Sequence, residues 1–176
     1  MTMRLSRLSR GAAVALALLV AGCATRPERV VPPPVVVQPG PLSAADYLAQ
    51  AASLDLLEVQ ASRLAFNRSQ NARVRSYARM IIDGHTGMAA QLSFAGRRLG
   101  LLPSAALLPR HQSMLDGLAA SPDFDRAYRS QQGELHRVAL RLHSDYAARG
   151  DSPTLRPVAA SAMTIERQHL KMLQGI

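Results

Sequence analysis

The chain has one cysteine in 176 residues, no tryptophan, and only 4% aromatic residues. A lone cysteine, Cys23, excludes an internal disulfide, even in an oxidising compartment. It also leaves no Cys-His pair for nucleophilic catalysis, and no Ser-His-Asp arrangement stands out, so a hydrolase is weakly supported. Lysine is nearly absent: Lys171 is the one lysine among 21 basic residues, an arginine bias in keeping with genome composition rather than with a function. The formal charge of +9 invites a nucleic-acid partner. With few aromatics and no binding motif, no nucleic acid is expected; attraction to anionic envelope surfaces is the milder consequence. Finally, nothing in residues 42–176 alternates with period two over a convincing run, which excludes a sheet.

The longest apolar stretch, residues 11–21, rises only about 16 Å as a helix, against about 30 Å for a bilayer core. It follows Arg4, Arg7 and Arg10 with no acidic residue, the layout of a secretory signal rather than a membrane span. Val20-Ala21-Gly22-Cys23 closes it and resembles the lipobox of bacterial lipoproteins. That resemblance implies cleavage before Cys23, a diacylated thiol, and a freed amine acylated by a palmitate-type chain. Each buried methylene contributes about 0.8 kcal/mol, so several chains hold a domain at a membrane permanently. Ala24, where an aspartate would favour inner-membrane retention, implies the outer membrane, facing the periplasm. Loss of the three signal arginines leaves the mature chain at +6. Residues 24–41 carry six prolines (Pro27, Pro32, Pro33, Pro34, Pro39, Pro41), which favour extended polyproline II. At about 3.1 Å per residue such a tether reaches up to about 55 Å. The domains expected are thus 1–22 signal, 23–41 lipidated cysteine and tether, and 42–176 a single globular domain.

Within that domain four long helices are expected. Ser43 is an N-cap with Asp46 in the first turn, and Leu48, Ala51, Asp55, Glu58, Ser62 and Ala65 recur at helical spacing. A polar break at 67–71 precedes the clearest stripe: Val74, Tyr77, Ile81, His85, Met88, Leu92, Ala95, Leu99. Gly100 ends it, with Pro103 beyond. Ser121-Pro122-Asp123 opens a third stripe of Phe124, Tyr128, Gln131, Leu135, Val138, Leu142 and Tyr146. After a stop at 150–153, Leu155, Val158, Ala162, Ile165, His169 and Met172 form the fourth, with Pro157 delaying or bending its start. Two connections are short; the third, 100–121, is long and holds a short helix near 109–119. Two helical hairpins joined by one long crossover is the connectivity of a ferritin-like four-helix bundle, all-α.

Each long helix places an ionisable residue on or beside its stripe: Glu58 with Asp55, His85, His136, and Glu166 with His169. Glu166-x-x-His169 sets carboxylate and imidazole on one helix face, as in di-iron bundles, which use that unit twice. Here the second unit is missing, since Ile82 stands three residues before His85 and Glu134 lies off the face of His136. Distances along the hairpins bring Glu58, His85, His136, Glu166 and His169 to one layer, with mismatches of about 4.5 and 7.5 Å. Unpaired burial of such groups costs several kcal/mol, so a hydrogen-bonded polar layer is expected with or without a metal. If a metal binds, imidazoles with one or two carboxylates suit iron, zinc or copper. His111 and His143, off the main stripes, are expected at the surface. Met80, Met88, Met114, Met163 and Met172 are expected as core fillers, not as a copper-binding run.

Residues 77–86, Phe124-Asp125-Arg126-Ala127-Tyr128 with Gln132 and His136, and 165–170 together resemble the domain-of-unknown-function 4142 proteins, exported bacterial envelope proteins of ferritin-like fold. The likeness spans about residues 44–173, and Glu58 and Ala65 also fall where that family has them. This chain has Gly84-His85-Thr86 where the family typically has Asp-His-Thr, with Asp83 adjacent. The resemblance implies the fold and no catalytic residues. Two roles are carried forward: a non-enzymatic envelope domain that binds a protein partner or supports stress tolerance, and a metal-binding or metal-dependent redox domain.

Overall fold

The computed structural model describes residues 42–176; the signal, Cys23 and the Pro-rich tether lie outside the described residues. Five helices follow in order: α1 Ala44–Arg68, α2 Ala72–Arg97, α3 Pro109–Ala119, α4 Phe124–Arg149 and α5 Arg156–Leu173, with no strand among the described residues. Their starts obey local chemistry. The side chains of Ser43, Asn71 and Asp123 accept the first free backbone N–H groups of α1, α2 and α4. Pro109 and Pro157 occupy first-turn positions of α3 and α5, so the fourth long helix does begin late. Gly100, at φ 69°, lets the chain leave α2 by a left-handed turn closed by Leu101 N–H donating to the Gly96 carbonyl at 2.9 Å.

Contacts between helices set the topology. At one end Ser69 Oγ donates to Asp125 at 2.9 Å, while at the other Tyr47 stacks on Tyr146 with centroids 3.8 Å apart. The C-terminus of α1 therefore meets the N-terminus of α4, and the two helices are antiparallel. Leu92 and Ala95 of α2 join Tyr47, Tyr146 and Leu155 in one core layer, so α2 runs parallel to α4. Residues 98–123 must span the bundle, and the expected crossover is borne out. Along it α3 lies over the α1/α4 seam. Ser53 Oγ meets His111 Nδ1 at 2.7 Å, and Arg68 donates to the Ala119 carbonyl at 2.6 Å. Apolar layers cap both ends, Val74, Ile81 and Tyr128 at one and Leu48, Leu92 and Tyr146 at the other.

Two stripes differ from expectation by a rotation of one residue. On α4 the buried face runs through Gln132, His136, Ala139 and His143 rather than Gln131, Val138 and Leu142. On α5 it runs through Ala159, Ala162, Glu166 and His169, while Met172 is 46% exposed and is not a core filler. Val138, Leu142, Val158 and Ile165 rim the interface at mid-height, where small and polar residues face the centre, while Tyr128, Leu135 and Tyr146 of α4 stay in the core. His111 and His143, expected at the surface, are each 3% exposed. The first is carried on α3 and is buried where that helix docks against Ser53 of α1, and Tyr47 hydrogen-bonds the second at 3.0 Å.

A buried candidate metal centre

All five expected residues converge midway along the bundle. Glu58 comes from α1, His85 from α2, His136 from α4, and Glu166 and His169 from α5; none exceeds 4% exposure. The three imidazoles form a triangle with centroid separations of 5.6 Å (His85–His136), 5.1 Å (His85–His169) and 5.2 Å (His136–His169). One ligand atom from each of His85, His136, Glu166 and His169 lies within 4.8 Å of the others. Glu58 stands beside this group, paired with His85 Nε2 and 3.3 Å from His136 Nδ1.

Two of the rings are braced from behind. Asp55, one turn before Glu58 on α1, accepts from His85 Nδ1 at 2.9 Å. Tyr77, two turns before His85 on α2, meets His136 Nε2 at 2.8 Å. Burial, with Tyr128 and the neighbouring carboxylates, pushes the Tyr77 hydroxyl well above its usual range, so it stays protonated. On its other side His136 Nδ1 meets Glu166 Oε2 at 2.8 Å. His169 has no such brace, and its Nδ1 is buried without a partner. Its ring is accommodated by Gly84, where even a methyl group would stand 3.0 Å from Cε1 and Nε2. The glycine that replaces the expected acid thus makes room for the third imidazole. Asp83 is exposed and stands outside the cluster.

Charge is unevenly shared. Burial favours neutral His85, but the Glu58 charge and the bonds to Asp55 and Glu58 overcome it and hold the imidazolium well above its ordinary range. Burial likewise favours a neutral Glu58, yet His85 and His136 hold its carboxyl below the usual value. Burial and the nearby Glu58 charge raise Glu166 to about 7. Burial, with His85 and His136, lowers His169 to about 3, so this ring is a neutral donor at physiological pH. Five buried polar atoms here make no well-formed hydrogen bond: both Glu58 oxygens, His85 Nε2, Glu166 Oε1 and His169 Nδ1. Such atoms are normally paired, and their concentration in one layer is what a small cation would satisfy. Three imidazoles and a carboxylate form an N3O donor set, which suits copper and zinc and lacks the carboxylates of a di-iron bundle. The sequence shows Asp55 beside Glu58, Tyr77 as a stripe residue and Gln132 in the block with His136, but nothing in their spacing marks Tyr77 as the brace of His136.

A family profile described as Domain of unknown function (DUF4142) matches residues 32–176. No curated protein matches the sequence. Among solved structures, CopM in the Cu(II)-bound form superposes with a TM-score of 0.65 at 15% identity, covering 76% of this chain and 95% of that one. CopM in the Cu(I)-bound form gives 0.63 at 13% identity, covering 76% and 94%. A DUF305 fragment from Deinococcus radiodurans gives 0.62 at 19%, covering 75% and 93%. These likenesses establish a shared helical-bundle fold.

Proposed function

The chain belongs to the DUF4142 family, and from that premise we propose that its bundle binds one transition-metal ion, copper or zinc, between His85, His136, Glu166 and His169, with Glu58 beside them. The observation that carries this reading is the convergence of buried carboxylate and imidazole atoms on one point, with His169 Nδ1 and Glu166 Oε1 outside any well-formed hydrogen bond. The copper-bound forms of CopM, a protein of similar fold, are in keeping with it. The role we assign is binding, buffering or delivery of the ion, held between apolar layers at the two ends of the bundle. The location rests on sequence alone: the Val20-Ala21-Gly22-Cys23 boundary supports a lipid anchor at Cys23 in the outer membrane, facing the periplasm, where an envelope protein partner is within reach of the tether. Among the described residues no helix is long and apolar enough to cross a membrane.

One observation favours the other reading, a metal-free structural core: the Glu58–His85–Asp55 chain already pairs much of the layer's charge. The test is to strip the purified chain with a chelator, dialyse it against Cu(II), Zn(II) or Fe(II), and measure bound ion and melting temperature. One retained ion per chain, a raised melting temperature, and loss of both in His169→Ala support the metal centre. No retained ion and no shift leave the structural core.

A further inference from the structure

The four-helix cage is not equally thick around the cluster. α3 covers the α1/α4 seam, while on the α2/α5 seam lies a groove of about 490 Å³ lined by Ser76, Arg79, Asp83 and Gly84 of α2 and Gln168 and His169 of α5. Of the five convergent residues, Glu58, His136 and Glu166 are fully buried and His85 is 1% exposed; His169, at 4%, alone also lines the groove. It is also the unbraced ring: Asp55 holds His85 and Tyr77 holds His136, whereas His169 Nδ1 has no partner. Opposite it Gly84 presents no side chain, so the imidazole stands at the boundary between groove and cluster with Met80 and Ile165 alongside.

We propose that the α2/α5 groove is the port through which a transition-metal ion enters and leaves the centre, with His169 as the ligand that meets the ion first and swings it inward. This rests on the metal-binding reading above. A ring without a hydrogen-bonded brace can rotate at little cost, whereas moving His85 or His136 breaks a buried bond. Asp83 and Arg79 place one exposed carboxylate and one guanidinium at the mouth, so entry depends on the groove and the His169 ring rather than on net charge.

The test narrows the groove without touching a ligand. Ser76 and Gln168 are exposed, and Ser76→Phe with Gln168→Phe fills the space above His169. Cu(II) is mixed rapidly with the metal-free chain, uptake is followed by absorbance, and release is measured into excess chelator. Both rates should fall at least about tenfold together, leaving the equilibrium affinity within about twofold. Ala90→Phe, in the separate groove near the end of α2, should leave both rates unchanged and controls for general stiffening. Unchanged rates in the Ser76/Gln168 variant, with Cu(II) still retained, overturn the port alone. Failure of the unsubstituted chain to retain Cu(II) overturns the metal reading, and the port with it.

Discussion

The five histidines of this chain are all buried, yet they fall into two groups with different chemistry. At the flanks His111 and His143 each hydrogen-bond a neutral hydroxyl, from Ser53 at 2.7 Å and Tyr47 at 3.0 Å, with the Glu166 carboxylate farther off, 3.9 Å from His143 Nε2. Both are held below the ordinary histidine range, by burial first and, for His111, by the charge of Arg110. At the centre His85, His136 and His169 face carboxylates and one another, and most of the buried atoms without a well-formed hydrogen bond lie there, the rest belonging to Gln131 and Gln132. Burial alone therefore does not mark a ligand. A hydroxyl partner makes a buried imidazole a neutral packing element. Opposed carboxylates with leftover lone pairs make a site that a proton or a metal ion must complete.

The sharpest way to break the comparison is to remove central charge. In the metal-free chain Glu58 pairs with a protonated His85 in full burial. Deleting one partner of such a pair costs about 3–5 kcal/mol. Glu58→Gln should lose that much by urea denaturation at neutral pH; a loss below about 1 kcal/mol would make the centre no more ionic than the flanks.

A second experiment addresses the flank. Burial lowers His143 to about 4 from the 6.5 expected unfolded. Between those values the unfolded chain binds the extra proton, so the stability due to neutral His143 is present above about pH 6.5 and is lost as pH falls towards about 4. Wild type should lose about 3 kcal/mol more than His143→Gln across that window. Parallel losses would mean that His143 does not titrate as a buried neutral group.

The third compares how a metal and a proton compete at the centre. Binding must displace the proton of His85 and, near neutrality, part of the proton on Glu166, raised to about 7. His169, lowered to about 3, contributes no proton. Affinity for Zn(II) should therefore rise with pH, about tenfold per unit for each proton displaced, between about pH 6 and 8. Competition titration at several pH values checks this, and a flat profile would place the ion elsewhere.

Much of this was legible in sequence. The α1 and α2 stripes, the short helix at 109–119 and the crossover follow from spacing, caps and loop lengths, which are local. The five central residues followed too, because two hairpins of known length fix their heights. The face of α4 was misjudged for a specific reason. Gln132, His136, Ala139 and His143 step by four, three and four, but they are small or polar, whereas Val138 and Leu142 attract a hydrophobicity-based reading. Here the interior is the polar side, so the usual inference inverts. Following His136 to Ala139, His143 and Tyr146 would have found His143. His111 had no local signal, because its burial depends on α3 docking against Ser53, 58 residues away.

The smallest effect is expected where the core is polar but uncharged. Ser62 on α1, one turn beyond Glu58, meets the Tyr128 hydroxyl of α4 at 2.7 Å, both fully buried. Burial raises the phenol despite the Ser62 bond, so it remains a neutral donor or acceptor, and the pair lies in the apolar end layer rather than in the cluster. Ser62→Ala removes one neutral hydrogen bond and strands one hydroxyl, about 1 kcal/mol and at most about 3. The small cavity left is a single oxygen in size, and no metal-facing ring leans on Ser62. Urea denaturation should thus show a loss of about 1 kcal/mol, while affinity for Cu(II) or Zn(II) stays within about twofold. A variant that lost affinity along with stability would mean that the end layer and the metal centre respond as one network. The line drawn between charged centre and neutral surroundings would then have to move outward by a helical turn.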